Sequence, residues 1–113
     1  MKQPTVTKDE DGDLVVEYIN LRLEHRSTET NLEKVGLQIW KGGLFLADYL
    51  MNHQNIMQQA DVVIDLGTGV GLTAIVAALA GAKKIFATDV DETCLQIAQR
   101  NINRNRYVLM SCT

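Results

Sequence analysis

Asp65 closes an apolar run and stands two residues ahead of Gly67, Gly69 and Gly71 in the stretch VVIDLGTGVG, residues 62–71. A second carboxylate, Asp89, closes another short apolar run 18 residues beyond Gly71. Glycines between a buried strand and a helix let the backbone come close to a ligand. In open α/β sheets that position, at the carboxyl end of a strand, is where nucleotides bind. The two acids narrow the choice of nucleotide.

Dinucleotide sites use G-x-G-x-x-G, whose third glycine admits close packing of helix on strand. Here the spacing is G-x-G-x-G, and Leu72 occupies the dinucleotide third position. A pyrophosphate on the helix N-terminus would also be repelled by a carboxylate at Asp65. S-adenosyl-L-methionine reverses the argument, since it carries an α-ammonium and a sulfonium and no phosphate. Asp65 attracts the ammonium, directly or through water, while the glycines admit the amino-acid portion. Asp89 stands where an acid accepts hydrogen bonds from ribose hydroxyls. That role serves both cofactors, and a helix N-cap is the competing reading for this residue.

These residues need elements to hold them. Val62 to Leu66 is short and apolar on both faces, as suits a parallel strand buried between helices. Leu72 to Ala80 reads as an Ala-rich helix with Gly81 as its C′ residue. Ile85 to Thr88 reads as a second buried strand. Asp91, or Asp89 itself, caps a helix from about Glu92 to Arg104, with Leu95, Ala98 and Ile102 as its inner stripe. Strand, helix, strand, helix at this spacing is a βαβα unit with a parallel sheet and a right-handed crossover. Upstream, Trp40, Leu44, Ala47 and Met51 share one helical face, predicting a helix from about Gly43 to His53. Ile19, Leu21 and Leu23 alternate with polar residues as in a half-buried strand, which Leu14 to Tyr18 extends or precedes. Residues 25–34 are a polar connector, and residues 1–13, ending in DEDGD, form a flexible N-terminus.

The bulk properties exclude several classes. The 113 residues suffice for one small domain. With 46% hydrophobic and 22% charged residues, the composition is that of a soluble globular protein. A net charge of −3 argues against direct nucleic-acid binding and against a polybasic membrane patch. The longest apolar stretch, Leu72 to Ala80, falls far short of the roughly 20 residues of a membrane helix. Cys94 and Cys112 lack metal-type spacing and read as reduced thiols. With a polar, acidic N-terminus, an intracellular location, nuclear or cytoplasmic, is expected. His25 and His53 have no partner at a catalytic spacing and read as connector or surface residues.

The stretch VVIDLGTGVGLTAIVAALAGAKKIFATDVD resembles the cofactor-binding half of a seven-β-strand, class I methyltransferase. Upstream, GLQIWKGGLFLADYLMNH resembles a segment of the small methyltransferase-like protein-lysine methyltransferases. Together they cover about residues 35–105. The resemblance implies a Rossmann-like, doubly wound parallel α/β sheet that binds S-adenosyl-L-methionine. It assigns cofactor binding to Asp65, Gly67, Gly69 and Gly71, ribose binding to Asp89, and a place near the cofactor to Trp40. Trp40 on the Leu44–Ala47–Met51 stripe reads equally as a core anchor. Thr68 either adds a hydroxyl contact to the cofactor or faces away. Asn101, Asn103 and Asn105 read as terminating their helix.

The resemblance further implies a protein substrate presenting a lysine. The family's acidic-aromatic motif at the end of the fourth strand has no counterpart here. Residues 14–113 are therefore expected to be the N-terminal part, or a truncated form, of such a domain, with a flexible segment 1–13 before it. None of the residues present is a general base for the reaction. A non-catalytic module that keeps cofactor or partner binding is the second reading, and an NAD-dependent oxidoreductase the third. An exposed apolar strand edge would leave a chain of this kind marginally stable or prone to associate.

Overall fold

A computed structural model describes residues 5–12, 14–16, 19–22 and 38–105. The 25–34 connector, Leu23, His25, Cys112 and the segment 106–113 lie outside the described residues. The chain forms α/β structure with a parallel strand pair, as a portion of a Rossmann-like fold does.

The hairpin comes first. Strands β1 (Val6–Lys8) and β2 (Leu14–Val16) pair antiparallel, with Val6 opposite Val16 and Lys8 opposite Leu14. The acidic run is their turn: the Asp9 side chain accepts the Asp11 N–H at 3.0 Å, and Gly12 sits at φ +86°. The expected flexible N-terminus thus contains a strand. Its signal was present as β-branched residues flanking an Asp/Gly-rich loop.

Helix α1 (Lys41–Asn52) begins at Trp40 and is followed directly by a short helix, α2 (Gln54–Gln59), that periodicity did not anticipate. Strand β3 (Val63–Leu66) leads through the glycine turn into α3 (Leu72–Leu79), and β4 (Ile85–Thr88) leads into α4 (Glu92–Arg104). β3 and β4 pair parallel, with Val63 beside Ile85 and Leu66 beside Thr88. α3 ends in a Schellman arrangement: Ala82 N–H donates to the Ala77 carbonyl, Gly81 N–H to that of Ala78, and Gly81 takes φ +105°. At α4 the cap is Asp91, which accepts the Thr93 N–H at 2.8 Å, and not Asp89.

The core sits around α3. Leu50 of α1 packs with Val76, Ala77 and Ala80, while Ile75 and Leu79 pack against Val6 and Val16 of the hairpin and Ile19 and Leu21 beyond it. On α4 the inner stripe is Cys94, Ile97, Ala98 and Asn101; Leu95, expected inside, is 36% exposed. The buried stripe is turned by about one residue from the expected one, the two sharing Ala98, which sits against Gly71.

The expectation of a strand buried on both sides also needs correction. Val63, Ile85 and Ala87 are half-buried, whereas Ile64, Leu66 and Phe86 on the other face are 60%, 81% and 48% exposed. Parallel sheets are normally covered on both faces; among the described residues, the second face carries no cover.

Residues 19–22, expected as part of a half-buried strand, join no sheet among the described residues. The Asn105 side chain accepts the Asn20 N–H at 2.8 Å and donates to the Asn20 carbonyl at 2.7 Å. The Asn101 side chain does the same for Arg22, at 2.9 and 3.3 Å. Two side-chain amides thus replace a neighbouring strand for alternate residues of the segment. Both asparagines are buried: Asn105 caps the end of α4 as expected, its Nδ2 also donating to the Asn101 carbonyl at 2.7 Å, whereas Asn101 lies within the helix and does not terminate it.

Candidate functional site

The glycine turn is built from the backbone outward. Gly67, Gly69 and Gly71 take φ of +69°, +56° and +94°, a region that L side chains rarely adopt. Thr68 N–H donates to the Thr88 carbonyl at 2.8 Å, and Gly71 N–H to the Thr68 carbonyl at 2.9 Å. The turn is thereby tied to the end of β4 and closed on itself. Gly71 has a further constraint: a Cβ there would lie 3.1 Å from both Cα and Cβ of Ala98. Its lack of a side chain lets α4 pack against the start of α3, a helix–helix approach and not the helix–strand packing served by a dinucleotide motif's third glycine.

Asp65 points to the helix-covered side of the sheet. Its Oδ2 accepts the Thr68 hydroxyl at 2.7 Å and the Thr73 hydroxyl at 2.6 Å. The Thr88 hydroxyl donates to the Asp65 main-chain carbonyl at 3.0 Å. Among the described residues no donor reaches Oδ1 of Asp65. Thr68, left open between a cofactor contact and an outward orientation, is buried, and its hydroxyl hydrogen is committed to Asp65. Thr73 had not been singled out; a polar residue in the first turn of the apolar LTAIVAAL was its signal.

Asp89 holds the other side of the turn. Its Oδ2 accepts the Gly69 N–H at 3.0 Å and its Oδ1 the Asp91 N–H at 2.9 Å. Each carboxylate oxygen keeps a further lone pair for a hydroxyl donor. Cys94 is fully buried below these acids; burial first, then the Asp89 and Asp91 charges, push its thiol from 9.0 up to about 11. That thiol is an inert core group at neutral pH.

Trp40, Gly67, Thr68 and Gly69 line one open cleft together with Gly43 and Leu72. Trp40 is 53% exposed at the start of α1, so it is not a buried core anchor. Asp65 reaches the cleft through Thr68 and Thr73, and Asp89 through Gly69. Gly71 is turned toward α4 instead. The cleft holds about 90 Å³, against the roughly 300 Å³ or more of a small-molecule pocket. The described residues therefore enclose a cleft smaller than a whole small-molecule pocket. His53 lies away from it, exposed, with its ring stacked on Tyr49 at 4.1 Å.

Comparison with known proteins agrees with this arrangement. Residues 47–111 match the profile of the family described as ribosomal protein L11 methyltransferase (PrmA). Methyltransferase-like protein 22 of Mus musculus is 38% identical over 93% of this chain, and its Homo sapiens counterpart is 40% identical over 78%. The chain spans 28% and 21% of the length of those two relatives. The ribosomal protein L11 methyltransferase of Carboxydothermus hydrogenoformans is 51% identical over 40% of this chain and 15% of its own length. With a parallel βαβα unit, a G-x-G-x-G turn between its first strand and helix, and a profile match over more than half its residues, the chain belongs to the PrmA-type class I methyltransferases.

Proposed function

We propose that this chain is the cofactor-binding portion of an S-adenosyl-L-methionine-dependent protein-lysine methyltransferase. The observation that carries the reading is Asp65, whose Oδ2 is saturated by two threonine hydroxyls while its Oδ1 faces no donor among the described residues. A carboxylate so arranged suits a cationic group. Asp65 would hold the cofactor's α-ammonium, Gly67 and Gly69 would admit its amino-acid chain, and Asp89 would accept from the ribose. Trp40 would close the cleft from the α1 side. When bound, the cofactor supplies an electrophilic methyl group on a sulfonium.

The chain's own contribution is binding and orientation. Its turn is braced from three sides, by Thr88, Asp89 and Ala98, so little reorganisation accompanies loading. A protein substrate is favoured by the names of the L11 methyltransferases and by the resemblance of the Trp40 segment to lysine-methylating enzymes. The net charge of −3 suits a basic acceptor segment.

Calorimetric titration with S-adenosylhomocysteine tests this. Saturable binding, weakened at least about tenfold by Asp65→Ala, is expected, since a hydrogen bond to a charged group is worth about 1.5–3 kcal/mol. NADH should not compete. A folded chain that binds NADH and not S-adenosylhomocysteine would overturn the reading.

A further inference from the structure

We infer that Thr73, acting with Thr68, is a positioning residue that aims Asp65 at the cation of its ligand and so sets the preference for a cofactor with a charged amino-acid end. The inference rests on the cofactor reading above and goes beyond it. Both hydroxyls converge on the same carboxylate oxygen, at 2.7 and 2.6 Å, from different elements. Thr68 belongs to the glycine turn and Thr73 to the first turn of α3, so together they fix the carboxylate in both position and rotation. A carboxylate has about four acceptor positions. Two hydroxyls on Oδ2 use one side and leave the other oxygen for a ligand.

The arrangement is selective by charge and by geometry. A hydroxyl donor fits a carboxylate without neutralising it, unlike a lysine or an arginine, so the negative charge remains for an incoming ammonium. The main chain of Asp65 is separately anchored by the Thr88 hydroxyl at 3.0 Å. What Thr73 adds is therefore the direction of the side chain. The ribose side of the site, at Asp89 and Gly69, does not contain Thr73. A ligand lacking the amino-acid end should be indifferent to it.

The test compares two ligands in the full chain. S-adenosylhomocysteine carries the ammonium; 5′-methylthioadenosine keeps the nucleoside and thioether without it. In the unaltered chain S-adenosylhomocysteine should bind more tightly. Thr73→Val, close in shape but without the hydroxyl, should weaken S-adenosylhomocysteine several-fold, because Asp65 must then be ordered on binding. It should leave methylthioadenosine unchanged, and Thr73→Ser should restore the original ratio. Thr68→Ser and Thr68→Ala offer the same comparison at the second donor if Thr73→Val does not fold. Equal weakening of both ligands would show a merely structural role and overturn the inference while leaving the cofactor reading intact. The same tightness for both ligands in the unaltered chain would also overturn it, and a folded chain that binds neither would overturn both readings.

Discussion

The side chain of Asn101 donates to the Val70 carbonyl at 2.8 Å inside the glycine turn, and its oxygen accepts the Arg22 N–H at 2.9 Å on the far side. One buried amide on α4 thus joins the glycine turn to the segment 19–22. Asn101→Ala leaves these backbone groups without their partner. It should destabilise the chain by about 1–3 kcal/mol for each group left buried and unpaired. Asn101→Asp should cost at least as much, because it sets acceptors against the Val70 and Arg22 carbonyls. Urea unfolding measures the loss, and faster hydrogen exchange at the Arg22 amide locates it.

Gly71 and Gly67 both have positive φ, but only Gly71 has a neighbour where a Cβ would stand. Gly67→Ala should cost about 1 kcal/mol or somewhat more, from backbone conformation alone. Gly71→Ala adds the 3.1 Å contact with the Ala98 backbone and should cost more, moving α4 away from the turn. Thermal unfolding of the two variants should rank them in that order.

Cys94 makes stability depend on alkaline pH. Its thiol is raised in the folded state from 9.0 to about 11, so the unfolded chain ionises first. The stabilising contribution is complete below pH 9 and is lost as pH climbs toward 11, by about 2–3 kcal/mol at most. Unfolding free energies of the parent chain and Cys94→Ala, measured at pH 8 and pH 10.5, should converge or cross at the higher pH. A parallel fall in both would remove Cys94 as the cause.

Ile64, Leu66 and Phe86 form an exposed apolar row across β3 and β4. Such a row promotes association in water. Sedimentation equilibrium of the chain should show concentration-dependent association that Leu66→Glu reduces, with unfolding stability changed by under about 0.5 kcal/mol. A parent chain that stays monomeric across the concentration range would show the row to be compatible with water.

Where local rules agreed, the sequence was legible. Ile85–Thr88 and Glu92–Arg104 match their expected bounds because a short apolar run marks the strand and an Asp N-cap marks the helix start. Gly81 was recognised as a C′ residue for the same reason. The turn residues Asp65, Gly67, Gly69 and Asp89 stood out because their types and spacing have few other uses. The N-terminal hairpin was hidden by strands of three residues, too short for alternation to register. Helix α2 was hidden because QNIMQQ carries little amphipathic signal.

The sequence by itself determined the βαβα unit and which acids flank the glycines, because those features follow from local periodicity and backbone conformation. Only the tertiary structure decided what Asp65, Asn101 and Gly71 touch. Thr73 reaches Asp65 once α3 folds back on β3, while Asn101 reaches Val70 and Arg22, and Gly71 meets Ala98, only after α4 has packed on the turn. Those partners lie 8, 31, 79 and 27 positions apart in the chain. Hydrogen-bond satisfaction and close packing over the three longer separations are settled by the whole core at once, and no local window of residues contains them.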